Sequence, residues 1–157
     1  MLQRIVSTTD DRVLALMRVV AGIVYFAHGS QKMLGWFGGY GFSGTMGFFT
    51  HSGIPAVFAF LAIAAEFFGG IGLIIGFLGR IAAFGILCNM IVAVLMVHRH
   101  FGLFMNWAGN QKGEGFEYHL LAIVVLLAIL IRGSGAFSVD LLLTKSPVAR
   151  SPLAARA

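Results

Sequence analysis

The chain has 157 residues, of which 59% are hydrophobic and only 11% are charged. An ordinary soluble domain has roughly a quarter charged residues, and a soluble fold of this size still exposes about a third of its unfolded surface. This composition excludes a soluble enzyme and a disordered chain, and it predicts an integral membrane protein. The single cysteine, Cys88, excludes an intrachain disulfide. The net charge of +5 is scattered, which is not typical of a nucleic-acid-binding surface.

Four apolar segments approach the length of about 20 residues that a helix needs to cross a hydrocarbon core roughly 30 Å thick. We therefore predict an all-α, four-helix transmembrane bundle. Its spans cover residues 13–32, 56–78, 81–101 and 117–132. Pro55 stands where the second helix can begin. The tight Gly-Arg turn after Leu78 makes the second and third helices antiparallel neighbours.

Basic residues outside the spans are divided unevenly between the two ends of this bundle. Seven belong to the end that carries both termini: Arg4, Arg12, Arg80, Arg132, Lys145, Arg150 and Arg156. Three belong to the other end: Lys32, Arg99 and Lys112. Positive-inside bias then predicts a multi-pass protein of the cell membrane with both termini in the cytoplasm.

The segments between and after the spans carry separate expectations. Residues 35–55 form a long loop rich in glycine and aromatic residues, which serve either as an interfacial belt, the favoured alternative, or as a lid over an external cavity. After Arg132, a turn leads into a short helix that Ser138 can cap. We place the membrane domain at residues 1–140 and a basic, disordered cytoplasmic tail at residues 141–157.

Ionisable side chains inside the spans are costly to bury and are functional candidates by default. They are Arg18, His28, Glu66 and His119, with Asn89 as an uncharged polar companion. Glu66 lies near the middle of its span, so it needs a proton or a partner. Side chains lean toward the N-terminus of their own helix, which brings Glu66 and His28 together. Arg18 leans toward the cytoplasm and can snorkel to the interface, so a Glu66–His28 pair is favoured over a Glu66–Arg18 salt bridge.

All the histidines fall on the external half of the predicted topology. They are His28, His51, His98, His100 and His119. His98 and His100 cannot share one helix face, so at most one of them points into the bundle. Together with Glu66 they predict an external pocket that can bind a quinone head group, relay protons, or hold a metal or haem. The alternative for each single histidine is a place among the lipid head groups.

Candidate roles follow from this pocket. The proton-transfer candidates are Glu66, His28 and His119, and the quinone-pocket candidates are Lys32, Asn89, His98 and Glu117. No zinc signature, nucleophile triad or phosphate loop occurs, so no metal ligand is assigned. No cofactor is assigned either, although a quinone is favoured over haem.

Small residues recur four apart in the second span. Ala65 pairs with Gly69 in this way, and Gly72 with Gly76. Such pairs allow helices to approach closely. Packing inside the bundle is favoured over a face for homo-oligomerisation.

Several stretches resemble the DoxX family of small bacterial and archaeal four-helix membrane proteins. They are RVVAGIVYFAHGSQK at 18–32, EFFGGIGLIIGFLGRIAA at 66–83, and GEGFEYHLL followed by GSGAFSVD near the end. The specific part is Arg, His-Gly and Lys in the first helix together with Glu-x-x-Gly-Gly in the second. The motif positions are Arg18, His28, Gly29, Lys32, Glu66, Gly70, Arg80, Glu114, Glu117, Ser138 and Asp140.

The resemblance implies a bacterial inner-membrane subunit or partner of an oxidoreductase system. Family members are linked to thiosulfate oxidation with quinone as acceptor, to thiol and oxidative-stress complexes with superoxide dismutase and a sulfurtransferase, and to detoxification of quinones or catechols. No established catalytic residue carries over to this sequence. We therefore predict a quinone-linked redox protein in which Glu66 moves protons and Lys32 favours an anionic head group. The alternatives are a non-catalytic scaffold that anchors soluble redox enzymes, and a small transporter.

Overall fold

The computed structural model describes residues 2–145, which are helical and contain no strands. The α-helices are α1 (Leu2–Val6), α2 (Arg12–Leu34), α3 (Gly41–His51), α4 (Ala56–Ile75), α5 (Gly79–Met96), α6 (Glu117–Arg132) and α7 (Val139–Lys145). Short 3-10 turns cover Trp36–Gly38 and His98–Phe101. Within the described chain, α2, α4 and α5 are long and apolar enough to cross a membrane. Helix α6 has 16 residues.

Helices α2, α4, α5 and α6 pack into one bundle around an apolar core. The buried core residues are Leu14, Tyr25, Leu73, Ala83, Ile86, Leu87, Met90, Leu126 and Ile129. Helix α4 lies against both α2 and α5, and α5 lies against α6, so the predicted neighbourhood of the second and third spans is confirmed. We call the end that carries α1 and α7 the terminal end, and the end that carries residues 35–55 and 97–116 the loop end.

Glycines allow α2 and α4 to cross with their backbones nearly in contact. A Cβ atom added to Gly29 would lie 2.4 Å from the backbone nitrogen of Phe67, and one added to Gly70 would lie 2.5 Å from that of Phe26. No side chain fits at either place. On another side of α4, Gly69 faces Ile86 of α5. The small residues of α4 therefore pack inside the bundle, as favoured from the sequence.

The turn between α4 and α5 differs from the prediction. Helix α4 ends at Ile75 because Gly76 adopts a left-handed conformation with φ of 69°, and α5 already begins at Gly79. Arg80 therefore belongs to a helix and not to the turn. Asp140 of α7 holds this turn, since its carboxylate accepts hydrogen bonds from the backbone N–H of Leu78 at 2.9 Å and of Gly79 at 3.0 Å.

The prediction of a loop throughout residues 35–55 is wrong, because α3 occupies the middle of that segment. Glycine lowers helix propensity by about 1 kcal/mol per residue, and four glycines between Gly38 and Gly44 suggested irregular structure. Packing of α3 against α2 and α4, with Thr45 buried, outweighs that preference. Tertiary contacts routinely override propensity in this way.

The prediction that Arg18 snorkels to the interface is also wrong. Its side chain is completely buried at the terminal end. The guanidinium donates to backbone carbonyl oxygens of Leu73, Ile74, Ser134, Ala136 and Phe137. The first two belong to the last turn of α4, whose carbonyls lack the usual partner one turn further along the helix, and Leu73 has besides Arg18 only a long 3.3 Å bond from the capping residue Gly76. Arg18 therefore closes the end of α4 where lipid supplies no hydrogen-bond donor.

The short helix predicted after Arg132 is confirmed as α7. Ser138 caps it, because its hydroxyl oxygen accepts a hydrogen bond from the backbone N–H of Leu141 at 3.1 Å. Helix α7 crosses residue 141, the predicted start of the tail, and buries Leu141. Residues 146–157, the rest of the predicted tail, lie outside the described residues.

Candidate functional site

A cavity of about 580 Å³ lies at the loop end and is lined by side chains from α2, α3, α4, α5 and α6. We call it the loop-end cavity. Its polar lining residues are Tyr25, His28, Lys32, Ser52, Glu66, Asn89, His98, Glu114, Tyr118 and His119. Its apolar lining residues are Phe48, Phe49, Ile54, Ala62, Met90, Val92, Ala93, Met96, Val97 and Met105. The volume and the few convergent polar groups are typical of small-molecule sites.

An ion pair lies in the wall of this cavity. The ammonium nitrogen of Lys32 is 2.5 Å from Oε2 of Glu66, and the Glu66 side chain is only 8% exposed. The predicted Glu66–His28 pair is therefore wrong. Lys32 lies about one turn beyond His28 on α2, and its long stem leans back toward the helix N-terminus far enough to reach the carboxylate.

Two histidines that line the same cavity lie against each other. The ring centroids of His98 and His119 are 4.1 Å apart, and Nδ1 of His98 lies 2.8 Å from the carbonyl oxygen of Glu114. His119 is buried, and its Nδ1 makes no hydrogen bond with the residues described. His100 does not line the cavity, which agrees with the expectation that at most one of His98 and His100 points inward. His51 is exposed and bonds to the Gly47 carbonyl oxygen.

Sequence reasoning missed the phenols of the cavity. The hydroxyl of Tyr25 is buried and faces the Tyr118 hydroxyl, its hydrogen-bonding neighbour, and it also interacts electrostatically with Glu66. The signal was present, because Tyr25, His28 and Lys32 follow a spacing of three and four residues that keeps them on one face of α2.

The two remaining pocket candidates differ in outcome. Asn89 lines the cavity and donates to the carbonyl oxygen of Ala62 at 2.8 Å, which ties α5 to α4. Glu117 is not among the lining residues. Its Oε1 accepts hydrogen bonds from the Met105 backbone N–H and the Trp107 indole, both at 3.0 Å, so it anchors the segment between α5 and α6.

Glu114 lines the cavity although the sequence analysis assigned it no pocket role. Its Oε2 accepts a hydrogen bond from the backbone N–H of Asn106 at 2.7 Å. The aromatic residues of the segment 35–55 also divide between two places. Phe48 and Phe49 of α3 line the cavity, while Trp36 and Tyr40 are exposed at the surface. The belt and the lid alternatives for this segment both stay predictions.

The arrangement suits a ligand that is apolar over most of its surface and carries a few oxygen atoms. Tyr25 and Lys32 can donate hydrogen bonds, and His119 can donate or accept according to its tautomer. Glu66 and the imidazoles can exchange protons. Among the residues described, no group of three or more histidine, cysteine, aspartate and glutamate side chains is placed to hold a metal ion.

Apolar helices of membrane length, with a cavity between them that carries several polar side chains, define a helical membrane protein with a ligand-sized site. The family model for DoxX matches residues 13–99, more than half of the chain, so the chain belongs to the DoxX family. It is 32% identical over 114 residues to the protein named "Putative oxidoreductase CatD" of Bacillus subtilis (strain 168), covering 73% of this chain and 75% of that one.

A second relative covers more of the chain. The chain is 30% identical over 136 residues to "Inner membrane protein YqjF" of Escherichia coli (strain K12), which covers 87% of this chain and 95% of the relative. This alignment is longer than the 13–99 family match. No solved structure gives a significant match.

Proposed function

We propose that this chain is the membrane component of a quinone-linked oxidoreductase system and that the loop-end cavity binds the quinone head group. The observation that carries the proposal is that one cavity holds the ion pair of Lys32 and Glu66, the buried hydroxyl of Tyr25, and Nδ1 of His119, which has no hydrogen-bond partner among the described residues. The carbonyl oxygens of a quinone are acceptors that these donors match. Membership of a family with a relative named as an oxidoreductase supports a redox role.

Each group of the cavity has a defined part in this proposal. Glu66 and His119 exchange the protons that accompany two-electron reduction of a quinone or oxidation of its quinol. His28, which also lines the cavity, is the third proton-transfer group. Lys32 stabilises the partly reduced, anionic head group, and Asn89 and His98 complete the polar wall. Electrons come from a partner redox enzyme, and the reaction belongs to sulfur, oxidative-stress or detoxification chemistry.

The proposal includes a topology in the bacterial inner membrane. Helix α6 is the fourth span, although its 16 residues cover only about 24 Å, and a locally thinner bilayer accommodates it. The terminal end faces the cytoplasm, because basic residues including Arg80, Arg132 and Lys145 lie there. An alkaline phosphatase fused after residue 157 is expected to be inactive, and an active fusion would reverse the orientation.

Quinone binding by the full-length protein in lipid nanodiscs tests the function directly. The probe is 2,3-dimethoxy-5-methyl-1,4-benzoquinone, and we expect saturable binding with one molecule per chain. Tyr25→Phe should weaken this binding about five- to tenfold, because one neutral hydrogen bond contributes about 1 kcal/mol. The matched control is Tyr40→Phe, since Tyr40 is exposed outside the cavity.

Two results would contradict the proposal. An absence of saturable binding to the wild-type protein would reject the quinone site and favour the scaffold alternative. Equal affinity of the wild-type and Tyr25→Phe proteins would show that the ligand does not use the buried Tyr25 hydroxyl, one of the groups on which the proposed site rests.

A further inference from the structure

The loop-end cavity has a side opening between helices. Toward the terminal end, α4 and α5 are in contact through small residues, with Gly85 facing Ala65. The bond from Asn89 to the Ala62 carbonyl oxygen continues this seam. Beyond it, toward the loop end, α5 residues such as Ala93 and Met96 line the cavity, and α4 adds no lining residue. Past this seam, the cavity is therefore bounded on this side by α5 and by Phe48 and Phe49 of α3, and not by α4.

The residues around this opening are apolar and exposed on the outside of the bundle. Val92 and Met96 are each 44% exposed, and Phe48 of α3 is 63% exposed, although all three also line the cavity. Apolar side chains exposed on helices of membrane length face lipid, because they cannot be accommodated in water over such an area. The interior of the cavity is thus continuous with the lipid-facing surface of α5.

The cavity is also larger than a single ring requires. A cavity of roughly 150 Å³ accommodates a benzene-sized molecule, whereas the loop-end cavity measures about 580 Å³. Its lining includes the Lys32–Glu66 ion pair, and the lining residues from Met90 to Val97 are all apolar. One part of the space therefore suits a polar head and another part suits a hydrocarbon chain.

We propose that the ligand enters the cavity sideways from the bilayer, between α3 and α5, and that it carries a hydrocarbon chain. The head group lies at the Lys32–Glu66 pair, and the chain follows Ala93 and Met96 out to the lipid. The substrate class is therefore an amphiphilic quinone or quinol dissolved in the membrane and not a water-soluble one. This inference rests on the proposed function and adds the route of entry and the second half of the ligand.

The test compares two neighbouring residues of α5, of which only one lines the cavity. Met96 lines the cavity and Leu95 does not, while both are exposed apolar residues of the same helix turn. Full-length Met96→Trp and Leu95→Trp proteins in nanodiscs are titrated with the tail-less benzoquinone and with the same head carrying a decyl chain. Dissociation constants are corrected for partition into empty nanodiscs. Val92→Trp provides a second variant at the opening.

We expect Met96→Trp to weaken binding of the decyl quinone at least about tenfold. The indole would occupy the space along the α5 wall of the cavity and exclude several methylene groups of the decyl chain. Binding of the tail-less quinone should change less than about twofold, and Leu95→Trp should affect neither ligand. The titration resolves such an effect, because a tenfold larger dissociation constant moves the midpoint to a tenfold higher ligand concentration.

Other outcomes would overturn the inference. If Met96→Trp and Val92→Trp leave decyl quinone binding unchanged, or weaken both ligands equally, the chain does not lie along this wall. If a phospholipid acyl chain fills the space along the α5 wall, the decyl chain cannot enter it. The wild-type protein will then bind the two quinones equally well, which contradicts the inference. If the tail-less quinone binds but the Met96→Trp and Val92→Trp results contradict the entry route, only the route is rejected and the proposed quinone site is retained. If neither quinone binds, the function and the route are rejected together.

Discussion

Replacement of Arg18 by methionine is expected to lower the free energy of unfolding by about 3–5 kcal/mol. The guanidinium is completely buried and donates to five backbone carbonyl oxygens, two in the last turn of α4 and three in the segment before α7. Methionine has a similar length but no donor, so these carbonyls lose the guanidinium in an apolar environment, and Leu73 keeps its 3.3 Å bond from the Gly76 N–H. Reversible unfolding in mixed micelles, followed by circular dichroism, measures the change.

Two further variants identify the cause. Arg12→Met removes an arginine from the exposed first turn of the same helix, and it should change stability by less than about 1 kcal/mol. Arg18→Lys should fall between the wild type and Arg18→Met, because an ammonium has three donors in place of the five of a guanidinium. If Arg18→Met unfolds with the wild-type free energy, the carbonyl contacts contribute no net stability.

Glu66→Gln is expected to abolish quinone-linked turnover, with a loss of about 100-fold or more. Glutamine keeps the size of the side chain and can still accept a hydrogen bond from Lys32, but it cannot take up or release a proton. Binding of the quinone head group should persist, since the donors at Tyr25 and His119 remain. Turnover is measured in membranes that contain the protein together with its native redox partners, at matched expression.

A cycle with Lys32 separates activity from stability. Lys32→Met leaves the carboxylate of Glu66 buried without a partner, and it should destabilise the protein by about 3–5 kcal/mol. The double variant Lys32→Met with Glu66→Gln should recover most of that stability and remain inactive. Normal turnover of Glu66→Gln would remove proton transfer from the role of this residue.

The positions of the long helices could be predicted because membrane length and hydrophobicity are local properties of a sequence. The bounds of α6 agree with the predicted fourth span, since Glu117 and Arg132 mark the ends of its apolar run. The α7 cap was predictable for a similar reason, because Ser138 acts on a backbone N–H three residues away. The residues His28, Lys32, Glu66, Asn89, His98 and His119 were correctly predicted to share one end of the bundle.

The mispredicted contacts depend either on residues far apart in the sequence or on the reach of a long side chain. Arg18 was assigned to the interface because its acceptors lie up to 119 residues away in the sequence. The Glu66–His28 pair was favoured from the direction of the Cβ atoms, which neglected the reach of the Lys32 stem. Glu117 and Glu114 lie three residues apart, and only the path of the connecting segment decides which of them faces the cavity.

The contacts of α7 and the segment before it bear on how this chain is made. The turn between α4 and α5 is held by Asp140, and the bond from Arg18 to Ser134 joins residues 116 positions apart. During synthesis the first span must therefore enter the bilayer while most acceptors for its arginine have not yet been made. The contacts of Arg18 and Asp140 at the terminal end can form only after nearly the whole described chain has left the ribosome. A nascent chain that stops before residue 134 lacks three of the five carbonyl oxygens that accept hydrogen bonds from Arg18.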